Sequence, residues 1–132
     1  MVSPGTFVLP PIVARCLQAI NEHDLSSLLR TFAADAIVND QLQDWRGTDA
    51  IAEWARRDVL AEQLTLRAVN CLEHHGHAVV LAYADGLFDK RGLPDPLEVH
   101  LYFTLAEERI VQLILLMNRS GTSRFDALLH EP

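Results

Sequence analysis

Apolar residues recur with a helical period through the first half of this chain and with a period of two through the second. That switch limits the fold more than any motif does. Pro10-Pro11 opens a helix, because the first turn has no use for the missing N–H. Ile12, Val13, Cys16, Leu17 and Ile20 then form one apolar stripe. The stretch from Asn21 to Asp24 interrupts it, and Asp24 is suited to cap a second helix whose inner side carries Leu25, Leu28, Leu29 and Phe32. Ala36 to Asp40 reads as a short strand. Thr48 caps a third helix after Gly47, Asp49 sits at its positive end, and Ile51, Trp54 and Ala55 form its inner face.

From Gln63 to His75, His77 to Phe88, Leu97 to Leu105 and Arg109 to Asn118 the pattern alternates. Turn residues separate the runs at His75-Gly76, Asp89 to Gly92 and Glu107-Glu108. Consecutive strands joined this tightly pair antiparallel. The expected fold class is α+β, with three N-terminal helices covering one face of a curved, mostly antiparallel sheet. The 132 residues read as one domain, with an N-terminal arm at 1–9 and a C-terminal tail at 119–132. Phe125, Leu128 and Leu129 give that tail an amphipathic turn.

The two sheet faces differ. From His77 onward one face presents Ala78, Val80, Ala82, Ala84 and Gly86, small residues that leave space against the helices. In the last strand Val111, Leu113, Leu115 and Met117 oppose Ile114 and Leu116, so both faces are apolar and both need cover. Helices supply one cover and a second copy of the chain the other, which predicts a homodimer through the outer sheet face.

Composition removes several functions. A net charge of −7, with scattered basic residues, opposes a nucleic-acid partner. The longest nearly apolar run, Ile110 to Met117, is far short of the ~20 residues of a membrane span. The N-terminus lacks the pattern of a signal peptide, and two cysteines, Cys16 and Cys71, do not make a disulfide framework, so the chain reads as cytoplasmic with reduced thiols. No glycine-rich phosphate loop, nucleophile elbow or paired-cysteine metal motif occurs, and no cofactor is expected. His74, His75 and His77 cluster at a hairpin tip, where alternation and a glycine turn separate them, so no metal site is expected. His100, beside Tyr102, reads as an interface residue.

Three stretches carry a family resemblance over nearly the whole chain: AINEHDLSSLLRTFAADAIVND, WRGTDAIAEW and LEVHLYFTLAEERIVQL. Their Asn-x-x-Asp, Phe-x-x-Asp-Ala and Gly-x-x-x-Ile pattern resembles the nuclear-transport-factor-2-like superfamily, in its branch of ketosteroid isomerases and SnoaL-like polyketide cyclases. The resemblance implies a cone-shaped fold with a deep pocket between helices and sheet, and frequent dimerisation through the sheet. It also implies a small apolar ligand. In the isomerases the aspartate ending the strand after the helix pair is the general base, and Asp40 falls on that position. An apolar surrounding would raise the pKa of such a carboxylate toward a range useful for proton transfer; the isomerase is itself a standard worked case of such tuning.

The isomerase tyrosine and protonated aspartic acid correspond here to Cys16 and Leu101, which cannot replace them as hydrogen-bond donors. The pocket so implied is lined by Cys16, Trp45, Trp54, Val80, Ala82, Leu101, Leu113 and Met117, with Trp45 as a wall and Trp54 otherwise a core residue. Two readings of Asp40 stand open: a strand-end carboxylate paired with Arg46, or the base of a cofactor-free isomerase, cyclase, hydratase or hydrolase. A non-catalytic binding or accessory dimer is the alternative function.

Overall fold

The computed structural model describes residues 7–118. Helix α1 spans Pro11–Asn21, with Pro10 at its N-cap and its apolar stripe buried. Helix α2, Leu25–Arg30, is capped as its sequence requires: the Asp24 carboxylate accepts from the Ser27 N–H at 3.1 Å and from the Ser27 hydroxyl at 2.8 Å. Helix α3, Thr48–Trp54, starts differently from expectation. Gly47 is the N-cap at φ +86°, with no side-chain cap, and Thr48 is already the first helical residue. A left-handed backbone at that point suits glycine alone, so the glycine takes the position in place of the threonine.

Six strands follow or interleave: β1 Phe32–Asp40, β2 Gln43–Arg46, β3 Thr65–His74, β4 His77–Asp85, β5 Leu97–Ala106 and β6 Arg109–Met117. They form one sheet in the order β2-β1-β6-β5-β4-β3. All neighbours pair antiparallel except β1 and β6, which are parallel. The strand expected at 36–40 starts earlier, at Phe32, and it is followed by β2, which the sequence pattern did not announce.

The turn between β1 and β2 explains the omission. Gln41 and Leu42 both sit at positive φ, +52° and +72°, where hairpins normally use Asn or Gly. Side chains hold them there. The Asn39 amide oxygen accepts from the Leu42 N–H at 3.1 Å, and its nitrogen donates to Asp44 at 2.7 Å. Gln41 reaches across to β6, donating to the Leu115 carbonyl at 3.2 Å and accepting from the Met117 N–H at 3.1 Å. A turn fixed by its neighbours leaves no signature in its own residue types.

The core lies between the helices and one sheet face. By register, Ala78, Val80 and Ala82 of β4 share that face with Phe103, Leu101 and Val99 of β5, and these with Leu113, Leu115 and Met117 of β6. Ala36, Val38 and Trp54 close the same core. Ala78, Val80 and Ala82 leave no space, because the large Trp54 and Phe103 side chains are buried with them, whereas Ala84 at the strand end borders a cavity. On the opposite face Leu81 and His100 are buried, while Val79, Tyr102, Ile114 and Leu116 are half-exposed.

The edge strand β3 is tied down by Asn21, whose side chain donates to the Leu66 carbonyl at 2.9 Å and accepts from the Leu66 N–H at 2.7 Å. That pairing occupies edge groups that would otherwise be open to another chain. No helix among the described residues is long and apolar enough to cross a membrane. The expected tail at 119–132, with Phe125, Leu128 and Leu129, and most of the arm at 1–9 lie outside the described residues.

Candidate functional site

Alternation along β1 buries Ala36 and Val38 completely and continues the same face to Asp40 at the strand end. There the core opens into a cavity of about 320 Å³. Its floor is apolar, from Leu64, Leu66, Val99, Leu115 and Met117, and its rim carries Asp40, Arg57, Asp58 and Glu62. Asp40 is thus the point where an apolar floor meets a polar rim.

Two neutral donors hold the carboxylate. The Trp54 indole N–H donates to Oδ2 at 2.9 Å, and Gln41 Nε2 donates to Oδ1 at 3.2 Å. An ionised carboxylate offers about four lone-pair sites, so acceptor capacity remains for a ligand. Burial raises the Asp40 pKa above its ordinary 3.8, and the nearby Asp58 carboxylate pushes the same way. The hydrogen bonds from Trp54 and Gln41 and the Arg57 guanidinium oppose this, but desolvation is the larger effect. The result is a carboxylate more basic than one in water.

Directly after α3 the chain winds into a π-helical segment, Ala55–Leu60. The wider winding shows in the bonds from the Ala61 N–H to the Arg56 carbonyl at 3.0 Å and from the Leu64 N–H to the Val59 carbonyl at 2.9 Å. Such segments are uncommon and concentrate at functional sites. Here the segment buries Val59 while bringing Arg57 and Asp58 to the cavity. The Arg57 guanidinium carbon lies 4.8 Å from the Trp45 ring centroid, and its Nε is 3.5 Å from Asp58 Oδ1. Arg57 is the only cation lining the cavity among the described residues.

Of the residues expected at the pocket, Asp40 and Met117 line the cavity. Cys16, Trp54, Val80, Ala82, Leu101 and Leu113 are instead closed into the core, each with no exposure, and Trp45 packs beside Arg57. Core packing takes the space expected beside Ala78, Val80 and Ala82, and the cavity lies at the sheet end, where Ala84 of the same face lines it. Trp54 nevertheless reaches the site through its N–H. Arg46 is exposed on β2 and makes no hydrogen bond with Asp40, whose partners are Trp54 and Gln41.

Sequence reasoning missed Gln41, Arg57, Asp58, Glu62, Leu64, Leu66, Phe88, Val99 and Leu115. Alternation gave a usable signal for Val99 and Leu115, which share a face with Leu101 and Met117. Cys16 is fully buried, and burial pushes its thiol up to about 12. Cys71 is half-buried, and burial raises its thiol too. Among the described residues no three His, Cys, Asp or Glu side chains are grouped to hold a metal ion.

With this geometry the chain can be placed among known proteins. It is 28% identical to a candidate polyketide cyclase from Sinorhizobium meliloti, over 82% of this chain and 95% of that one, with a TM-score of 0.74. A protein of ketosteroid isomerase-like fold from Catenulispora acidiphila, solved with trimethylamine, shares 21% identity over 83% of this chain and 86% of its own, with a TM-score of 0.70. A Mycobacterium tuberculosis protein solved with estradiol-17β-hemisuccinate shares the fold at 12% identity, covering 81% of this chain and 91% of its own, with a TM-score of 0.69. No curated protein sequence matches the chain significantly. The SnoaL-like domain model matches residues 13–113, from within α1 into β6, and the chain belongs to the SnoaL-like domain family.

Proposed function

We propose that this protein binds a small apolar molecule in the Asp40 cavity and moves a proton on it, with Asp40 as a cofactor-free general base. One observation carries the reading: a carboxylate with a raised pKa, held by the Trp54 indole at the rim of an apolar-floored cavity. A base works best when its pKa lies near the operating pH, and desolvation moves Asp40 in that direction. Isomerase, cyclase and hydrolase chemistry all use such a group. The negative charge formed when a proton leaves carbon needs a partner, and Arg57 on the same cavity supplies a cation where Cys16 and Leu101 supply no donor. The small ligands seen in structures of the same fold are consistent with the cavity as the binding site.

The test is proton exchange at carbon. A ring ketone of cavity size, such as 1-tetralone, is incubated with the protein in deuterium oxide, and deuterium at the carbon beside the carbonyl is followed by NMR. The reading expects wild type to accelerate incorporation and Asp40→Asn to bind the ketone without accelerating it. Equal rates for the two proteins would remove Asp40 as the base. Binding by wild type with no acceleration would favour the second reading, a non-catalytic binding or accessory protein, which the lack of a strong hydrogen-bond donor at Cys16 and Leu101 supports.

The wider reading is one cone-shaped domain acting in the cytoplasm as a homodimer. The half-exposed Val79, Tyr102, Ile114 and Leu116 on the sheet face away from the helices support the dimer.

A further inference from the structure

We propose that Gln41 is the positioning residue of the Asp40 base: its side-chain amide, anchored on β6, fixes the plane of the carboxylate. This deepens the general-base reading and rests on it. Trp54 alone cannot fix that plane. Its indole N–H reaches only Oδ2, and the carboxylate torsion of an aspartate is broad, so a group held at one oxygen still turns about its last bond. A second donor on Oδ1, from a different element, removes that freedom. Gln41 Nε2 donates there at 3.2 Å.

The anchor comes from the way β1 ends. The Gln41 N–H donates to the Leu115 carbonyl at 3.1 Å, just past the last register pair of β1 and β6, Asp40 with Leu115. A parallel strand that continued would next set its main-chain carbonyl on the Met117 N–H. The chain turns away instead, with Gln41 at φ +52°. The Gln41 side chain takes over: Oε1 accepts from the Met117 N–H at 3.1 Å, and Nε2 donates to the Leu115 carbonyl at 3.2 Å. Two main-chain groups of β6 thus set the plane of the amide, and the second Nε2 hydrogen is left for Asp40.

The consequence is chemical. Each carboxylate oxygen spends one acceptor site on its donor and keeps another for a ligand. Asp40 and Gln41 both line the cavity, so the clamp acts where a ligand binds. Proton transfer slows steeply when the accepting oxygen is misplaced, and a base keeps its geometry when the residue supporting it is itself locked. Gln41 is locked by β6, and the 3.2 Å bond matters for where it holds Oδ1 more than for its energy.

The experiment compares wild type, Gln41→Gly and Gln41→Glu by deuterium exchange into 1-tetralone and by carbon-13 titration of the Asp40 carboxyl. Glycine accepts a positive φ, so Gln41→Gly removes the side chain without straining the turn. Glutamate keeps the size and an oxygen for the Met117 N–H, but it loses both N–H donors and sets a like charge against Asp40. In each variant kcat for exchange should fall about tenfold, with KM held within about threefold. In Gln41→Glu the Asp40 midpoint should also move up, because a donor to the charged form is exchanged for a like charge. Either variant alone decides the kcat result if the other fails to fold. A wild-type kcat in a folded variant, a loss carried by KM alone, or an Asp40 midpoint unmoved in Gln41→Glu overturns the positioning role and leaves Asp40 as the base. No exchange by wild type overturns the base reading and this role with it.

Discussion

The Asp40–Trp54 hydrogen bond is the contact that gives the site its chemistry, and its strength can be isolated. Trp54 is fully buried, and its indole N–H meets Asp40 Oδ2 at 2.9 Å. A hydrogen bond to a charged group contributes about 2 kcal/mol to stability, against about 1 kcal/mol for a neutral pair. The other donor to Asp40, Gln41 Nε2, is 3.2 Å away and is shared with the Leu115 carbonyl at 3.2 Å, so it offers little compensation. Trp54→Phe also costs packing, but that cost is common to both backgrounds of a double-mutant cycle and cancels there. The cycle combines Trp54→Phe with Asp40→Asn, which keeps an acceptor and removes the charge. Urea denaturation of the four proteins should give a coupling energy of about 1 kcal/mol at pH 7. The coupling should fall as pH drops through the Asp40 titration, because a protonated carboxyl is a weaker acceptor. A coupling indistinguishable from zero, or one that ignores pH, would refute the reasoning.

Three further outcomes follow from the geometry. Burial raises the Asp40 pKa, so the unfolded chain releases this proton at lower pH than the native protein does; native stability falls between the ordinary carboxylate value and the raised one, and is flat above it. Asp40→Asn should therefore be more stable than wild type at pH 7, with the gain shrinking toward pH 4, as read by denaturation midpoints. Asn21→Ala should destabilise by about 2 kcal/mol, because it strips both partners from the buried Leu66 main chain, and thermal unfolding will measure it. A thiol reagent at pH 8 should label Cys71 in the native protein and spare Cys16, whose buried thiol is pushed up to about 12, until denaturant is added.

Much of this arrangement is legible in the sequence, because it follows from periodicity. The stripe Ile12, Val13, Cys16, Leu17 and Ile20 predicts α1, and alternation from His77 onward predicts which side of β4 faces the helices. Asp40 is marked by the family resemblance, and alternation along β1 carries the inward face to it. What periodicity cannot read is a conformation imposed from outside. The Gln41–Leu42 turn is held by Asn39 and by β6, so β2 had no local signal. The π-helical segment that brings Arg57 and Asp58 to the cavity reads in sequence as more of α3. Trp54 and Trp45 show a related limit. Burial predicts that an indole packs, but not where its one N–H points, and the donor to Asp40 proved to be the tryptophan read as core. The alternating run reads as reaching Phe88, but β4 ends at Asp85, so the surroundings of Phe88 are set by the loop and not by a strand.

The account stands on Asp40 being a carboxylate of raised basicity at a ligand-accessible rim, and its titration tests that most directly. The carboxyl carbon of Asp40, assigned by comparison with Asp40→Asn, is followed by carbon-13 NMR across the acid range. The account predicts a midpoint above the ordinary aspartate value, moving higher still in Trp54→Phe, where a donor to the charged form is lost. A midpoint at or below the ordinary value would mean that the hydrogen bonds and Arg57 outweigh burial, and Asp40 would then be a turn carboxylate and not a base.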